Sequence, residues 1–262
     1  MSGALLLVDN SNTRTKFSLV APGYNAPGEV RTCPTAEINA STLKHTLAGW
    51  EYAHAVLCSG APPAARILCK ELGCPVSEIS AAGCPHLLRG YAGANTLGAD
   101  RIANAAAVAT LYPLPCIAVD LGTACTFDLV VEEADGPRFA GGAISPGLQT
   151  MAEALAQRTA CLPLISANAL RTSPAVGALG QNTQQAMLAG LLHGWRGMAL
   201  GVLAEMRRLL PQEPSIVLTG GDADLLICDA NFDFTIDKLL TLKGILSIYK
   251  SHNVFFSGSE KK

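Results

Sequence analysis

Two aspartates stand where short apolar runs give way to small polar turns. Asp9 follows the apolar run at residues 5–8, and Asp120 follows a similar run at residues 116–119. A buried strand of this kind delivers a carboxylate to its edge, and the threonine-bearing turn behind it offers hydroxyls and backbone N–H groups. Phosphoryl transfer needs such donors around the phosphate oxygens, together with a metal ion. The pattern predicts a phosphate site, although a single aspartate in this position is more often a turn former.

A third aspartate, Asp100, precedes Arg101 at the start of an alanine-rich stretch that predicts a helix over residues 100–111. Asp100 either caps this helix beside a solvated Arg101, or acts as the general base for an attacking alcohol. The two interpretations are compatible, because a helix N-terminus also stabilises a carboxylate.

Other common cofactor motifs are missing from the sequence. Neither GxxxxGK[ST] nor GxGxxG occurs, which excludes a P-loop as the phosphate cradle. The nine cysteines form no CxxC pair and the five histidines are widely spaced, which argues against a zinc module. We expect the cysteines to be reduced, buried thiols.

The pattern of strand, aspartate, turn and second strand occurs twice, with starting points 111 residues apart (120 minus 9). Such a repeat predicts two similar lobes, and strands that alternate with helices predict the α/β class. We place the lobes at residues 1–114 and 115–250, followed by a tail at 251–262. A glycine-rich loop is predicted at 141–147, and a long helix at 181–210 carries an apolar stripe typical of a core.

Composition narrows the classes of protein further. Of the 262 residues 49% are hydrophobic and 15% are charged, which allows a large core. The formal net charge is −2, so there is no basic footprint for nucleic acid. The uncharged stretch at 102–119 is interrupted by two prolines, and the N-terminus has no basic region. We therefore expect a soluble, cytoplasmic protein with neither a membrane nor a nucleic acid as partner.

Taken in order, the motifs resemble those of the type III pantothenate kinases. Tyr91 stands at the spacing of that family's substrate tyrosine. In the N-terminal half, DNSNTRTK at 9–16 resembles the family motif D-x-G-N-T-x-x-K, and GADR at 98–101 resembles G-x-D-R. Further along, DLGTACT at 120–126 resembles D-x-G-T-A-x-T, GGAISPG at 141–147 resembles G-G-x-I-x-P-G, and GQNT at 180–183 resembles G-x-x-T. Residues 219–223 and 240–244 resemble the family's C-terminal elements.

The resemblance implies ATP-dependent phosphorylation of pantothenate to 4′-phosphopantothenate, the first step of coenzyme A biosynthesis. It implies two actin-like (ribonuclease H-like) lobes, each a mixed five-stranded sheet with flanking helices. It also implies a homodimer with active sites at the subunit interface, Mg²⁺ with the ATP, and a monovalent cation, potassium or ammonium.

The family's functional positions carry over residue by residue. Asp100 would be the general base and Asp120 the ligand of the monovalent cation. The ATP phosphates would be held by Asp9, Asn10, Ser11, Asn12, Thr13, Arg14, Thr15 and Lys16, with Thr123 as a further ATP contact. Pantothenate would be held by Tyr91, Gly98, Ala99, Asp100, Arg101 and Thr183.

Some alternatives stay open at this point. Tyr91 could be an ordinary half-buried aromatic residue, and Thr183 could cap the long helix. Ser11 replaces the family's glycine, so its Cβ could crowd a phosphate or force a strained φ, or its hydroxyl could act as a donor. Another actin-like kinase, for a sugar-type substrate, and a transcriptional accessory factor of the same family are the competing functions.

Overall fold

The computed structural model describes residues 3–173, 177–226 and 232–258, with side chains as far as Ser251. The strands are β1 (Leu5–Asn10), β2 (Arg14–Val20), β3 (Val30–Pro34), β4 (His54–Ser59), β5 (Val76–Glu78), β6 (Cys116–Leu121), β7 (Ala124–Glu133), β8 (Gly136–Pro146), β9 (Ser215–Thr219) and β10 (Thr235–Ile236). The helices are α1 (Ala40–Thr46), α2 (Pro62–Glu71), α3 (Ala99–Leu111), α4 (Leu148–Arg158), α5 (Ala167–Thr172), α6 (Thr183–Arg208) and α7 (Leu240–Gly258).

The strands form two five-stranded sheets with the same order of equivalent strands. The first sheet runs β3-β2-β1-β4-β5 and the second runs β8-β7-β6-β9-β10. In the first, β1 is antiparallel to β2 and parallel to β4. In the second, β6 is parallel to β9, which is parallel to β10. Each sheet thus begins with a hairpin and continues by parallel crossovers, which confirms the predicted α/β class with two similar lobes.

The chain divides into two compact units. Unit 1 contains residues 1–112, 130–140 and 239–262, and unit 2 contains 113–129 and 141–238. The break near residue 112 lies close to the one placed at 114/115 from the sequence. However, the tip of the β7–β8 hairpin and α7 belong with unit 1. Residues 251–258, expected in a tail, continue α7, and 259–262 lie outside the described residues.

In unit 1 the central strand β1 is buried along its whole length, as expected for a strand covered on both faces. Helices α3 and α7 pack against each other and against this sheet. Their contact is close, because a Cβ on Gly244 of α7 would lie 1.8 Å from the carbonyl oxygen of Ala103. A glycine here lets the two helix backbones meet.

In unit 2 the core is formed by β6, β9 and the inner face of α6. The predicted apolar stripe is buried, and it consists of Met187, Leu188, Leu191, Leu192 and Trp195. By length and composition alone, α6 could also cross a membrane. Half of its most apolar stretch is buried within the protein, and core helices of soluble proteins pass the same test. This finding is weak support for a membrane span.

Two local expectations were wrong. The predicted loop at 141–147 is a strand paired with β7 as far as Pro146. The positive φ and the close backbone approach predicted for this segment are nevertheless present, since Gly141 has a φ of +123° and a Cβ on Gly147 would lie 1.9 Å from the carbonyl oxygen of Gly122. Cysteine burial is also incomplete: Cys69 and Cys161 are exposed, although all eight cysteines in the described part of the chain are free.

Candidate active site

The first aspartate turn joins β1 to β2 in unit 1. Asp9 and Lys16 face each other across the hairpin, and Lys16 Nζ lies 3.2 Å from Asp9 Oδ2. Burial raises the pKa of the Asp9 carboxyl; Lys16 opposes this shift, and the negative charge of Asp100 adds to it. A buried carboxylate of this kind needs a cationic partner, and Lys16 supplies one.

The turn itself carries side chains at every position. The Ser11 hydroxyl donates to the carbonyl of Arg14 over 2.8 Å. No non-glycine residue in the described segments has a positive φ, so the strained conformation considered for Ser11 is ruled out. Asn12, Thr13 and Arg14 are exposed. The turn therefore tolerates a serine because its backbone does not need a glycine.

Two of the predicted ATP-binding residues are fully buried. Asn10 and Thr15 have no exposed surface, and Asn10 Nδ2 donates to Thr15 Oγ1 over 2.7 Å. Ser59, at the end of β4, donates to Asn10 Oδ1, and Thr35, after β3, contacts Thr15. Sequence reasoning missed Ser59 and Thr35, since single hydroxyls at strand ends carry no motif.

Asp100 is the second residue of α3, and the helix is capped at Gly98, so the interpretation of Asp100 as the N-cap is wrong. Its Oδ1 accepts the backbone N–H of Arg101 at 2.8 Å. Its Oδ2 lies 3.9 Å from the position of a Cβ on Gly60, whose N–H donates to the carbonyl of Asn10. The carboxylate of Asp100 therefore stands beside the end of β1, near the first turn.

Tyr91 and Arg101 meet at one aromatic ring. Tyr91 packs edge-on against Phe139, with ring centroids 4.9 Å apart and an angle of 89°. The guanidinium of Arg101 lies 5.7 Å from the centroid of the same ring. Arg101 is 8% exposed, so the expectation of a solvated Arg101 is wrong. Tyr91 is half-buried, and Phe139, which orders both residues, was not predicted.

A second arginine fixes this arrangement. Arg89 donates from Nη1 to the carbonyls of His86 and Pro137, and from Nη2 to the carbonyl of Gly136 and to Glu133. These bonds tie the segment before Tyr91 to the β7–β8 hairpin, which carries Phe139. Arg89 thus links the two chain segments that carry the rings of Tyr91 and Phe139.

The second aspartate turn, in unit 2, joins β6 to β7. The carbonyl of Thr123 accepts from the N–H of Gly147 at 3.0 Å and from the hydroxyl of Thr150 at 2.6 Å. The carbonyl of Leu121 accepts from the N–H of Asp222 at 3.0 Å. Thr123 itself is exposed at the tip.

The surroundings of Asp120 are tightly packed. A Cβ on Gly220, which has a φ of +90°, would lie 2.6 Å from Asp120 Oδ1. Burial raises the pKa of the neighbouring Cys125 thiol to about 11, with Asp222 and Asp120 adding to the shift. Arg171 pairs with the buried Asp222 at 2.7 Å. Within the described residues, no group of three or more acidic, histidine or cysteine side chains forms a metal cage.

Thr183 is the first residue of α6 and is exposed. The helix is capped by Asn182, whose side chain accepts from the N–H of Gln185, so the interpretation of Thr183 as the cap is wrong. Thr183 lies at a groove of about 830 Å³ between α4 and α6. The other residues lining the groove are Pro146, Thr150, Met151, Ala154, Leu155, Arg158, Leu162, Ala186, Met187, Gly190 and Leu191.

The predicted site residues thus fall into two groups. Unit 1 brings Asp9, Lys16 and Asp100 together, with Tyr91 and Arg101 around Phe139. Unit 2 carries Asp120, Thr123 and Thr183. The arrangement in unit 1 places a carboxylate beside a turn with exposed polar side chains, an arrangement compatible with phosphoryl transfer to an alcohol.

Comparison of the whole chain with known proteins agrees with this chemistry. The sequence profile of the type III pantothenate kinases matches residues 5–205. The chain is 38% identical over 242 residues to the type III pantothenate kinase of Akkermansia muciniphila, covering 92% of this chain and 96% of the relative. It is 33% identical over 246 residues to that of Methylacidiphilum infernorum, covering 92% and 86%.

Solved structures support the fold alone. A protein described as a Baf family transcriptional activator from Campylobacter jejuni aligns with a TM-score of 0.59 at 20% identity, covering 95% of this chain and 99% of that one. MreB5 of Spiroplasma citri bound to AMPPNP aligns with a TM-score of 0.56 at 12% identity, covering 98% and 99%. The fold is that of actin-like ATPases and sugar kinases, and the chain belongs to the type III pantothenate kinase family.

Proposed function

We propose that the two turns and the Asp100 carboxylate carry out the family reaction, in which this chain phosphorylates pantothenate to 4′-phosphopantothenate at the expense of ATP. The observation that carries this proposal is the placement of Asp100 beside the turn that holds Asp9 and Lys16. A phosphate cradle and a carboxylate base stand together in unit 1, as transfer to an alcohol requires.

The first turn binds the ATP phosphates. Lys16 supplies a positive charge, and the exposed residues Asn12, Thr13 and Arg14 meet the polyphosphate. Asn10 and Thr15 contribute by bracing the turn from behind, since both are buried. Ser11 closes the turn through its bond to Arg14.

Asp9 fits Mg²⁺, because its burial leaves a carboxylate whose charge only Lys16 offsets. Magnesium is commonly held by one or two carboxylates and the phosphates themselves, so a cage of three acids is not needed. When bound, the ion would neutralise the charge that develops on the phosphate oxygens.

Asp100 acts as the general base. As the oxygen of the pantothenate hydroxyl forms its bond to the γ-phosphorus, the bond from that phosphorus to the leaving ADP oxygen breaks. The hydroxyl proton passes to Asp100. Because Oδ1 accepts the N–H of Arg101, we assign the proton to Oδ2, on the side of Gly60 and the first turn.

Pantothenate binds between the α3 N-terminus and Tyr91. Gly98 and Ala99 lead into the helix, and Arg101 offers its guanidinium to the pantothenate carboxylate. The ring of Phe139 supports both Tyr91 and Arg101, which fixes the distance between an aromatic and a cationic contact.

Unit 2 contributes the remaining contacts. Thr123 stands exposed at the tip of the second turn and meets ATP. Asp120 is the ligand of a potassium or ammonium ion, together with oxygens of its own turn. Thr183, exposed at the start of α6, contacts pantothenate.

The protein works as a cytoplasmic homodimer. The groove between α4 and α6 is mainly apolar and has Thr183 at its edge, so a second copy that covers it would bring substrate contacts with it. Large apolar side chains near it in sequence are exposed, among them Leu155, Leu164 and Leu179. Light scattering at micromolar concentration should give twice the 27.2 kDa chain mass. An active monomer would contradict this part.

A coupled assay with pantothenate, ATP, Mg²⁺ and potassium tests the reaction, with mass spectrometry of the product. We expect one ADP and one 4′-phosphopantothenate per turnover. Glucose and N-acetylglucosamine serve as control acceptors and should give no ADP above background. Turnover with a sugar but not with pantothenate would make the chain a sugar-type kinase, and no turnover with any acceptor would favour the accessory-factor alternative.

A further inference from the structure

Thr35 binds both sides of the first turn. It begins a short 3₁₀ turn, Thr35–Glu37, directly after β3. Its hydroxyl donates to the carbonyl of Ser11 at 2.7 Å, and its backbone N–H donates to the carbonyl of Thr13 at 3.1 Å. Thr35 is 8% exposed, so it braces the turn from the protein side.

The hydrogen bonds behind the turn form a chain with one possible direction. A carbonyl only accepts, so the single hydroxyl hydrogen of Thr35 is used on Ser11. The 3.0 Å contact between the hydroxyls of Thr15 and Thr35 must then be donated by Thr15. Thr15 in turn accepts from Asn10 Nδ2, which leaves Asn10 Oδ1 to accept from Ser59.

The chain continues at its other end to the N–H of Ala61, which donates to Ser59 Oγ at 3.1 Å. Reversing the Asn10 amide would require the Thr15 hydroxyl to donate to Asn10, and the contact between Thr15 and Thr35 would lose its donor. The network therefore has a single arrangement, and Thr35 is the link that joins it to the turn.

The consequence concerns the carbonyl oxygens of the turn. Those of Ser11 and Thr13 are bound by Thr35, and that of Arg14 is bound by the Ser11 hydroxyl. A carbonyl that points at a polyphosphate repels it, whereas backbone N–H groups attract it. A turn whose carbonyls are held by its own protein offers an anion mainly its donors.

We infer that Thr35 is a positioning residue for ATP, which acts by holding the carbonyls of residues 11 and 13 away from the polyphosphate. The inference rests on the proposed role of the first turn as the ATP phosphate site. It concerns ATP, because the hydroxyl and the N–H of Thr35 contact Ser11, Thr13 and Thr15, which all belong to the first turn and its flanking strand. Its effect should therefore separate ATP binding from pantothenate binding.

The test is Thr35→Val, which keeps the shape of the side chain and removes the hydroxyl. We expect the dissociation constant and the KM for ATP to rise about tenfold, the usual result of leaving a buried acceptor unbound. The KM for pantothenate should change by less than about twofold. Thr35→Ser keeps the hydroxyl and should restore ATP binding to within about threefold of wild type.

Thr241→Val is the matched control, because Thr241 is another buried threonine of unit 1, and its hydroxyl bonds to Asn104 at 2.9 Å. It should lower the melting temperature and leave ATP binding unchanged. The inference is overturned if Thr35→Val lowers the melting temperature and leaves the ATP dissociation constant unaltered, or if Thr35→Ser is folded yet binds ATP as weakly as the valine variant.

If Thr35→Val does not fold, Ser59→Ala tests the same chain from its far end. It should weaken ATP binding a few-fold and spare pantothenate, and unchanged ATP binding in a folded Ser59→Ala overturns the inference. ATP binding is measured directly, without pantothenate. An inactive wild-type enzyme that binds ATP would contradict the proposed function, while the response of Thr35→Val would still decide the inference.

Discussion

The two aspartate turns share a pattern and differ in what holds them. In the first, the hydroxyls of Thr35 and Ser11 bind the carbonyls of Ser11 and Arg14, and the backbone N–H of Thr35 binds that of Thr13. Buried Asn10 and Thr15 lie behind this turn. In the second, backbone N–H groups predominate: those of Gly147 and Asp222 bind the carbonyls of Thr123 and Leu121, and the Thr150 hydroxyl adds one further bond to the Thr123 carbonyl.

This difference explains where glycine is needed. The first turn contains none and has no positive φ, so side chains fit at each position. In the second, a Cβ on Gly147 would lie 1.9 Å from the carbonyl of Gly122, and one on Gly220 would lie 2.4 Å from that of Leu121. We conclude that loss of single hydroxyls weakens the first turn, whereas added atoms break the second.

The strongest test of this contrast is Gly147→Ala. The φ of −72° suits any residue, so the cost is steric: the new methyl meets the carbonyls of Gly122 and Thr123. We expect a loss of about 3 kcal/mol or more in the free energy of unfolding, or no soluble protein. Gly201→Ala in α6 is the control, since nothing lies within 4 Å of its added methyl, and it should stabilise by about 1 kcal/mol. A Gly147→Ala enzyme as stable as wild type would refute the contrast.

Asp100→Asn probes the chemistry next to the first turn. Asparagine keeps the shape and can still accept the N–H of Arg101, but it cannot take the hydroxyl proton. We expect kcat to fall by about 100-fold or more with little change in melting temperature. The exposed Asp135 of the same unit gives the control Asp135→Asn, which should behave as wild type. Near-normal turnover in Asp100→Asn would contradict the assignment of Asp100 as the general base.

Of the two turns, only the second is expected to respond to monovalent cations. If Asp120 holds a monovalent cation, potassium or ammonium should raise turnover by about tenfold over sodium or Tris, equivalent to about 1.4 kcal/mol in the barrier. Asp120→Asn should abolish this response without changing direct ATP binding to the first turn by more than about twofold. Full activity in buffers without either ion contradicts the assignment.

The fold class and the motif positions could be predicted from the sequence, because strand, aspartate and turn are local patterns. The long-range hydrogen bonds and ring contacts that hold these motifs in place could not be predicted. Thr35 and Ser59 reach the first turn from 24 and 49 residues away along the chain, through pairing of β2 with β3 and of β1 with β4. Phe139 reaches Tyr91 through the hairpin that Arg89 holds.

The errors have a similar origin. Residues 141–147 have the composition of a loop, and pairing in the sheet makes 141–146 part of a strand. Asp100 has the residue type of a cap, yet α3 begins one residue earlier and is capped at Gly98. In the first case pairing with a neighbouring strand, rather than local propensity, decided the conformation. In the second the prediction missed the helix boundary by one residue.

Asp9→Asn tests whether the first turn holds its carboxylate at a cost in stability. Because burial raises the pKa of Asp9 in the folded protein, the native state holds its proton more tightly than the unfolded chain. Stability attributable to Asp9 therefore falls as pH rises from about 3.9, its ordinary value, through the raised pKa. We expect Asp9→Asn to raise the melting temperature at pH 7 by about 2–4 °C and much less at pH 4, while ATP turnover is lost. A variant that is destabilised at pH 7 would show that the pair with Lys16 outweighs burial.

Substitution of Ser11 should give the smallest effect. It distinguishes a hydroxyl that braces the turn from a Cβ that crowds a phosphate. Since its hydroxyl donates to the carbonyl of Arg14, its loss should loosen the turn and leave that carbonyl to face the polyphosphate. We expect Ser11→Ala to weaken ATP binding by about fivefold, equivalent to about 1 kcal/mol, with no change for pantothenate. Ser11→Gly should be slightly weaker still, because glycine adds backbone freedom to the same loss. Titration of both variants with ATP decides the matter. Tighter ATP binding by Ser11→Gly than by wild type would mean that the Cβ of Ser11 crowds a phosphate. Glycine would then be favoured in the first turn for the same steric reason as in the second.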